Sequence, residues 1–156
     1  MKKLFTTLII FTMVSISVFA DEKQEALNFF NNYVKEANSY SDSITHMYSP
    51  NAKIIRQVVK PDGTTADAVT NTSTYIKQMR ISQSIAKMRN YKNAYTNISV
   101  TSLGNGQYKI SSLRTPMQDK DKLKTYMIIK KQPNGKWLIT EELMQTKQQI
   151  FLRYAK

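Results

Sequence analysis

Cysteine is absent from the 156 residues, and with it go disulfide frameworks, thiolate nucleophiles, zinc or iron–sulfur sites built on thiolates, and a lipid anchor on an N-terminal cysteine. A single histidine excludes any metal site made of several imidazoles. Four Gly and four Pro exclude collagen-like and low-complexity chains, and 41% hydrophobic against 22% charged residues is the balance of a globular domain. No phosphate-cradling glycine loop is present. Acids are also scarce: 11 Asp plus Glu face 23 Lys plus Arg, a formal charge of +12.

What is present begins with a leader. Lys2 and Lys3 precede an apolar run from Leu4 to Ala20, which ends Ser17-Val18-Phe19-Ala20 before the acidic Asp21-Glu22. A charged start, an apolar middle and small residues at the exit are the parts of a secretory signal peptide, and cleavage is expected after Ala20. The alternative, an uncleaved anchor, would need a longer run without Thr and Ser. The expected organisation is therefore residues 1–20 as leader and 21–156 as one domain, periplasmic or secreted, 136 residues at +10 once Lys2 and Lys3 leave. A chain of that length buries about two-thirds of the surface its unfolded form exposes, enough for a core without disulfides.

Along the mature chain the elements follow from periodicity. Ala26, Leu27, Phe30, Tyr33, Val34 and Ala37 recur at spacings of three and four, which predicts an amphipathic helix over 23–39. Asp42 is placed to cap a short second helix carrying Ile44, Met47 and Tyr48, with Pro50 ending it. The β-branched run 52–59, the turn Lys60-Pro61-Asp62-Gly63 and the run 64–69 predict a hairpin. Segment 74–88 carries two offset apolar rows, Tyr75 with Met79 and Ile81 with Ile85 and Met88, expected as a bent or broken helix. Four strands over 95–103, 107–114, 123–131 and 136–144, separated by tight turns, predict an antiparallel meander. The tail 145–156 carries Ile150, Phe151 and Tyr154 at helical spacing. The fold class is α+β, with a curved sheet enclosing something against helices.

That order, together with two segments, resembles the nuclear transport factor 2-like (NTF2-like) superfamily. The segment FNNYVKEANSYSDSITHMYSPNAKI, Phe30 to Ile54, resembles its opening helix, short helix, turn and first strand. Asn134-Gly135-Lys136-Trp137-Leu138-Ile139, with Glu141 following, is similar to its closing hairpin. The resemblance implies a cone of sheet around an apolar pocket, with Tyr33, Tyr48, Arg56, Arg114, Trp137 and Glu141 as expected pocket residues. The superfamily holds isomerases, cyclases and dehydratases beside members that only bind. Isomerase chemistry of that type needs a carboxylate base on the first strand and a carboxylic acid on the penultimate one. Those places hold Arg56 and Gln57, and Lys124 to Met127, so both roles are vacant.

A cyclase-, isomerase- or dehydratase-like alternative would use His46 and Asp42 as an acid–base pair with Tyr33 as hydroxyl; otherwise His46 is a surface imidazole beside a helix cap and Tyr33 is helix packing. Glu141 and Glu142 alternate faces, so one of them points inward, where it would meet Arg56 or Arg114 as an ion pair or a ligand clamp. Asp119-Lys120-Asp121 and Glu141-Glu142 lack the roughly six oxygen ligands that calcium takes. No metal and no cofactor are expected.

The positive charge is local. No acid lies between Asp67 and Asp119, whereas Lys77, Arg80, Lys87, Arg89, Lys92, Lys109 and Arg114 do. Five of these, Lys77, Arg80, Lys87, Arg89 and Lys92, form a basic face that is either a solvated surface or a docking site. Export argues against nucleic acid and for an anionic envelope component. The expected role is non-catalytic binding of a small apolar ligand or of that anionic partner. A protein–protein assembly module is a further alternative, with a homodimer formed through Tyr108, Ile110, Tyr126 and Ile128 on the sheet face.

Overall fold

In the computed structural model six strands, β1 (Tyr48–Val59), β2 (Thr65–Asn71), β3 (Asn93–Gly104), β4 (Gln107–Pro116), β5 (Leu123–Lys131) and β6 (Trp137–Thr146), form a single mixed sheet in the order β2-β1-β6-β5-β4-β3 with helices on one side. Residues 2–117 and 119–155 are described, with side chains from Ala20 onward apart from Gln118. Residues 1–19 of the expected leader thus lie outside the described side chains. The helix α1 spans Lys2–Asn38, and its apolar stripe places Ala26, Phe30 and Tyr33 on the sheet, all buried. Asn38 closes it against β3: its Oδ1 accepts from the Asn93 N–H at 2.9 Å, and its Nδ2 donates to the Asn93 carbonyl at 3.0 Å.

A short 3₁₀ helix, Asp42–Met47, follows. Its cap is Ser41, whose hydroxyl accepts from the Ser43 N–H, and not Asp42. Nor does Pro50 end it. The chain turns extended at Tyr48, and Pro50 sits inside β1 (Tyr48–Val59) where pairing to β6 is interrupted between Tyr48 and Lys53, so its missing N–H costs no ladder bond. β1 and β2 (Thr65–Asn71) form the expected hairpin, with Gly63 at φ +83° closing the turn through a bond from its N–H to the Lys60 carbonyl.

Asn71 accepts from the Thr74 N–H and so caps α2 (Thr72–Met88). This is one continuous helix. The two apolar rows were expected to require a bend, but only Tyr75 and Met79 turn inward, while Ile81 and Met88 are left 75% and 82% exposed. The meander is present as β3 (Asn93–Gly104), β4 (Gln107–Pro116), β5 (Leu123–Lys131) and β6 (Trp137–Thr146), and β6 also pairs in parallel with β1. The tail forms a second 3₁₀ helix, Gln149–Tyr154, against β1 and β2.

Alternation along β4 and β5 sends Tyr108 and Ile110 inward with their neighbours Ile129 and Met127, all buried. Tyr126 and Ile128 face the other way. The four residues expected to share a docking face are therefore split between two faces, because the period of a strand is two.

Candidate functional site

The helices do not lie flush on the sheet. Between α1, α2 and the inner face is a cavity of about 690 Å³, walled by Tyr33, Tyr75, Met79, Tyr95, Met144 and Phe151. Three of these are supplied by the helices' inward rows, two by β3 and β6, and Phe151 by the tail. Phe30 and Tyr95 meet edge to face at 5.4 Å, as do Tyr48 and Tyr75, so the aromatic walls brace one another.

Beneath this space lies a polar knot. Glu142 is wholly buried, and its Oε1 accepts from Arg56 Nη1 at 2.9 Å. Its Oε2 accepts from the hydroxyls of Tyr33, at 3.2 Å, and of Tyr48. Tyr75 lies under the Arg56 guanidinium at 4.7 Å from ring centroid to Cζ. Three tyrosines, from α1, β1 and α2, thus converge on a charge pair that joins β1 to β6. Burial pushes the Tyr33 and Tyr48 hydroxyls well above their ordinary range, and the Glu142 charge adds to it. Burial opposes the Arg56 charge, but Tyr75 and Glu142 outweigh it and hold the guanidinium protonated.

Which glutamate faces inward is decided by one extra residue. Ile128 pairs with Glu141 and Ile129 with Ile139, so Thr140 is bulged out of the ladder, its hydroxyl donating to the Ile128 carbonyl. Counting by twos from inward Ile139 predicts Glu141 in the pocket. The bulge resets the count, so Glu142 turns in and Glu141 takes the outer face, bonded to the Tyr126 hydroxyl at 2.6 Å. Glu141 is corrected on that ground. Trp137 is corrected too: it packs on Tyr108, and its indole N–H reaches Glu25 of α1, outside the cavity lining. Of the other expected pocket residues, Tyr33, Arg56 and Arg114 line the cavity, and Tyr48 lies below it in the knot.

The acid–base pair does not assemble. Asp42 lies at the rim, bonded to Arg80 at 3.0 Å, and that partner keeps its carboxyl below the usual range. His46 is exposed and is not part of the lining, because the 3₁₀ turn presents Ile44, Thr45 and Met47 inward instead. Lys77, Arg80, Lys87 and Arg89 are exposed and Lys92 is half-buried, with Arg80 and Arg89 at the cavity rim. Among the described residues no group of three or more His, Asp or Glu side chains is arranged to hold a metal ion. Tyr75, Tyr91, Asn93 and Tyr95 also line the site. Of these only Tyr75 carried a signal in the sequence, through its four-residue spacing to Met79.

No family model and no curated protein matches the sequence. Solved structures do match in shape. A protein of unknown function from the DUF3225 family of Pectobacterium atrosepticum aligns with a TM-score of 0.61 at 16% identity, over 81% of this chain and 91% of that one. A protein of Caulobacter vibrioides with a cystatin-like fold gives 0.60 at 9%, over 80% and 89%. A candidate scytalone dehydratase of Novosphingobium aromaticivorans gives 0.54 at 10%, over 82% and 85%. With helices packed on one side of a curved six-stranded sheet and these neighbours in shape, the chain has the nuclear transport factor 2-like cone fold.

Proposed function

We propose that this chain is a non-catalytic binding protein that holds a small apolar ligand in the cavity between its helices and sheet, and that it works after export, with the leader removed after Ala20. The cavity carries the reading: its volume of about 690 Å³ and its aromatic and methionine walls are those of small-molecule sites. The titratable groups around it favour holding over proton transfer. Glu142 is committed to Arg56, Tyr33 and Tyr48, Asp42 to Arg80, and His46 stands outside. A general base must be free to take a proton within hydrogen-bond reach; Glu142 and Asp42 are already engaged by arginines and His46 is outside the lining, which leaves Glu36 as the one lining carboxylate in no ion pair among the described residues.

Native mass spectrometry of protein purified from a bacterial periplasm tests the reading. The expected result is a noncovalent small-molecule adduct that is lost on denaturation. Protein that carries no adduct, and whose melting temperature no member of an apolar compound set raises, would overturn it.

A second reading rests on the exposed side of α2, whose edge reaches the cavity rim at Ile85 and Arg89. Ile81, Ile85 and Met88 are exposed at spacings of three and four among Lys77, Lys87 and Arg89. Apolar residues ringed by bases suit a helix that lies on an anionic envelope surface.

A further inference from the structure

Two arginines reach the cavity from the sheet, and they are neutralised differently. Arg56 has the Glu142 carboxylate. Arg114, on the inner face of β4, has none, although it is only 7% exposed. Its Nη1 donates to Asn93 Oδ1 at 2.8 Å and to the Tyr91 hydroxyl at 3.4 Å, and its Nη2 donates to the Gln145 carbonyl at 2.7 Å. All three acceptors are neutral. The ion pairs among the described residues join Arg56 to Glu142, Arg80 to Asp42, Lys131 to Glu25 and Lys147 to Asp121; Glu36, the other carboxylate on the cavity wall, is in none of them and is not among the partners of Arg114. Arg114 Nε is buried with no partner at all, and the Ser112 hydroxyl, two residues earlier on the same face of β4, is likewise unpartnered.

A buried cation without a counter-charge is costly, and a buried N–H without an acceptor adds to that cost. Neutral oxygens hold the guanidinium in place without cancelling its charge. Arg114 nonetheless lines the cavity, beside Tyr95 and Met144. A ligand there that brings its own negative charge would supply both the counter-charge and the acceptor for Nε. Arg80 and Arg89 cannot play this part, since both stand at the exposed rim and Arg80 is already paired with Asp42.

We propose that the cavity takes an amphipathic monoanion, with its carboxylate on Arg114 and its apolar body against the tyrosine and methionine walls. The inference rests on the reading of the cavity as a small-molecule site and adds to it the class of molecule. Arg114 fixes the head, and Arg56, already paired, leaves room for one negative charge and no second.

Decanoate and 1-decanol, one body with and without the charge, separate the two claims by isothermal titration calorimetry on the mature chain. Decanoate is expected to bind at least about tenfold more tightly than decanol, as a charge-assisted bond in a water-poor site would give. Arg114→Gln is expected to remove that preference and leave decanol binding unchanged, while Lys130→Gln, exposed on the sheet, alters neither. If the wild-type protein binds both equally, or if Arg114→Gln weakens both alike, the anion proposal fails and the cavity reading stands. Binding of neither probe would defeat both. The wild-type comparison decides the matter even if Arg114→Gln does not fold.

Discussion

Glu142 shows how a buried charge is kept in this protein. One carboxylate oxygen answers a guanidinium and the other two phenols, so every donor aimed at it is used. Such a pair contributes little net stability over an apolar pair of similar volume, but breaking it by halves is expensive, because the survivor stays buried and charged. Glu142→Ala is therefore expected to cost about 3–5 kcal/mol in urea denaturation. Replacing both partners, Glu142→Met with Arg56→Met, is expected to recover most of that loss. A single substitution costing under about 1 kcal/mol would mean that water reaches Arg56 and the knot is not part of the core.

At the scale of elements, α2 separates what could be read from the sequence from what could not. The row of Tyr75 and Met79 is a local signal, and it appears where its spacing puts it. The meander was legible for the same reason, as were the helix stripe of α1 and the β1–β2 turn. The parallel pairing of β1 with β6 was not, since it joins segments about eighty residues apart with no local trace. The Thr140 bulge was also silent: alternation left open which of Glu141 and Glu142 faces inward, and Glu141, named through the resemblance, stands where Glu142 belongs. Asn93 and Tyr91 entered the site only because β3 lies against β4, which brings them to Arg114. The second row of Ile81, Ile85 and Met88 was expected to bend the helix and is exposed on a continuous one instead, and it carries a prediction. Phosphatidylcholine vesicles containing phosphatidylglycerol should retain the protein in low salt, and Lys87, Arg89 and Lys92 together changed to Gln should weaken that roughly tenfold or more. Ile81→Ser with Met88→Ser should weaken it as well, with little effect on thermal stability, since neither side chain is packed. Retention unchanged in all variants and insensitive to salt would reduce the basic face to a solvated surface.

For the molecule as a whole, the buried phenols set an alkaline limit on stability. Burial raises the hydroxyls of Tyr33, Tyr48, Tyr75 and Tyr95 above the ordinary value of 10.0. The unfolded chain loses these protons near that pH while the folded chain keeps them, so the folded state binds more protons and stability falls as pH rises. Their contribution is fully present below pH 10 and is lost above it. The positive charge of the chain acts in the opposite direction, because lysines discharge in the same range and relieve repulsion. The tyrosines win, since each can contribute about 1.4 kcal/mol per pH unit, and four together about 5.5, against a diffuse and screened repulsion. The urea midpoint should therefore stay level as pH approaches 10 and drop steeply beyond it. Absorbance at 295 nm should show the buried phenols ionising in one step that coincides with loss of the circular dichroism signal. Tyr95→Phe, which removes one of the four hydroxyls, should make the drop shallower. Gradual ionisation of all nine tyrosines with the circular dichroism intact would instead show that water enters the cavity floor and that the knot is open to solvent.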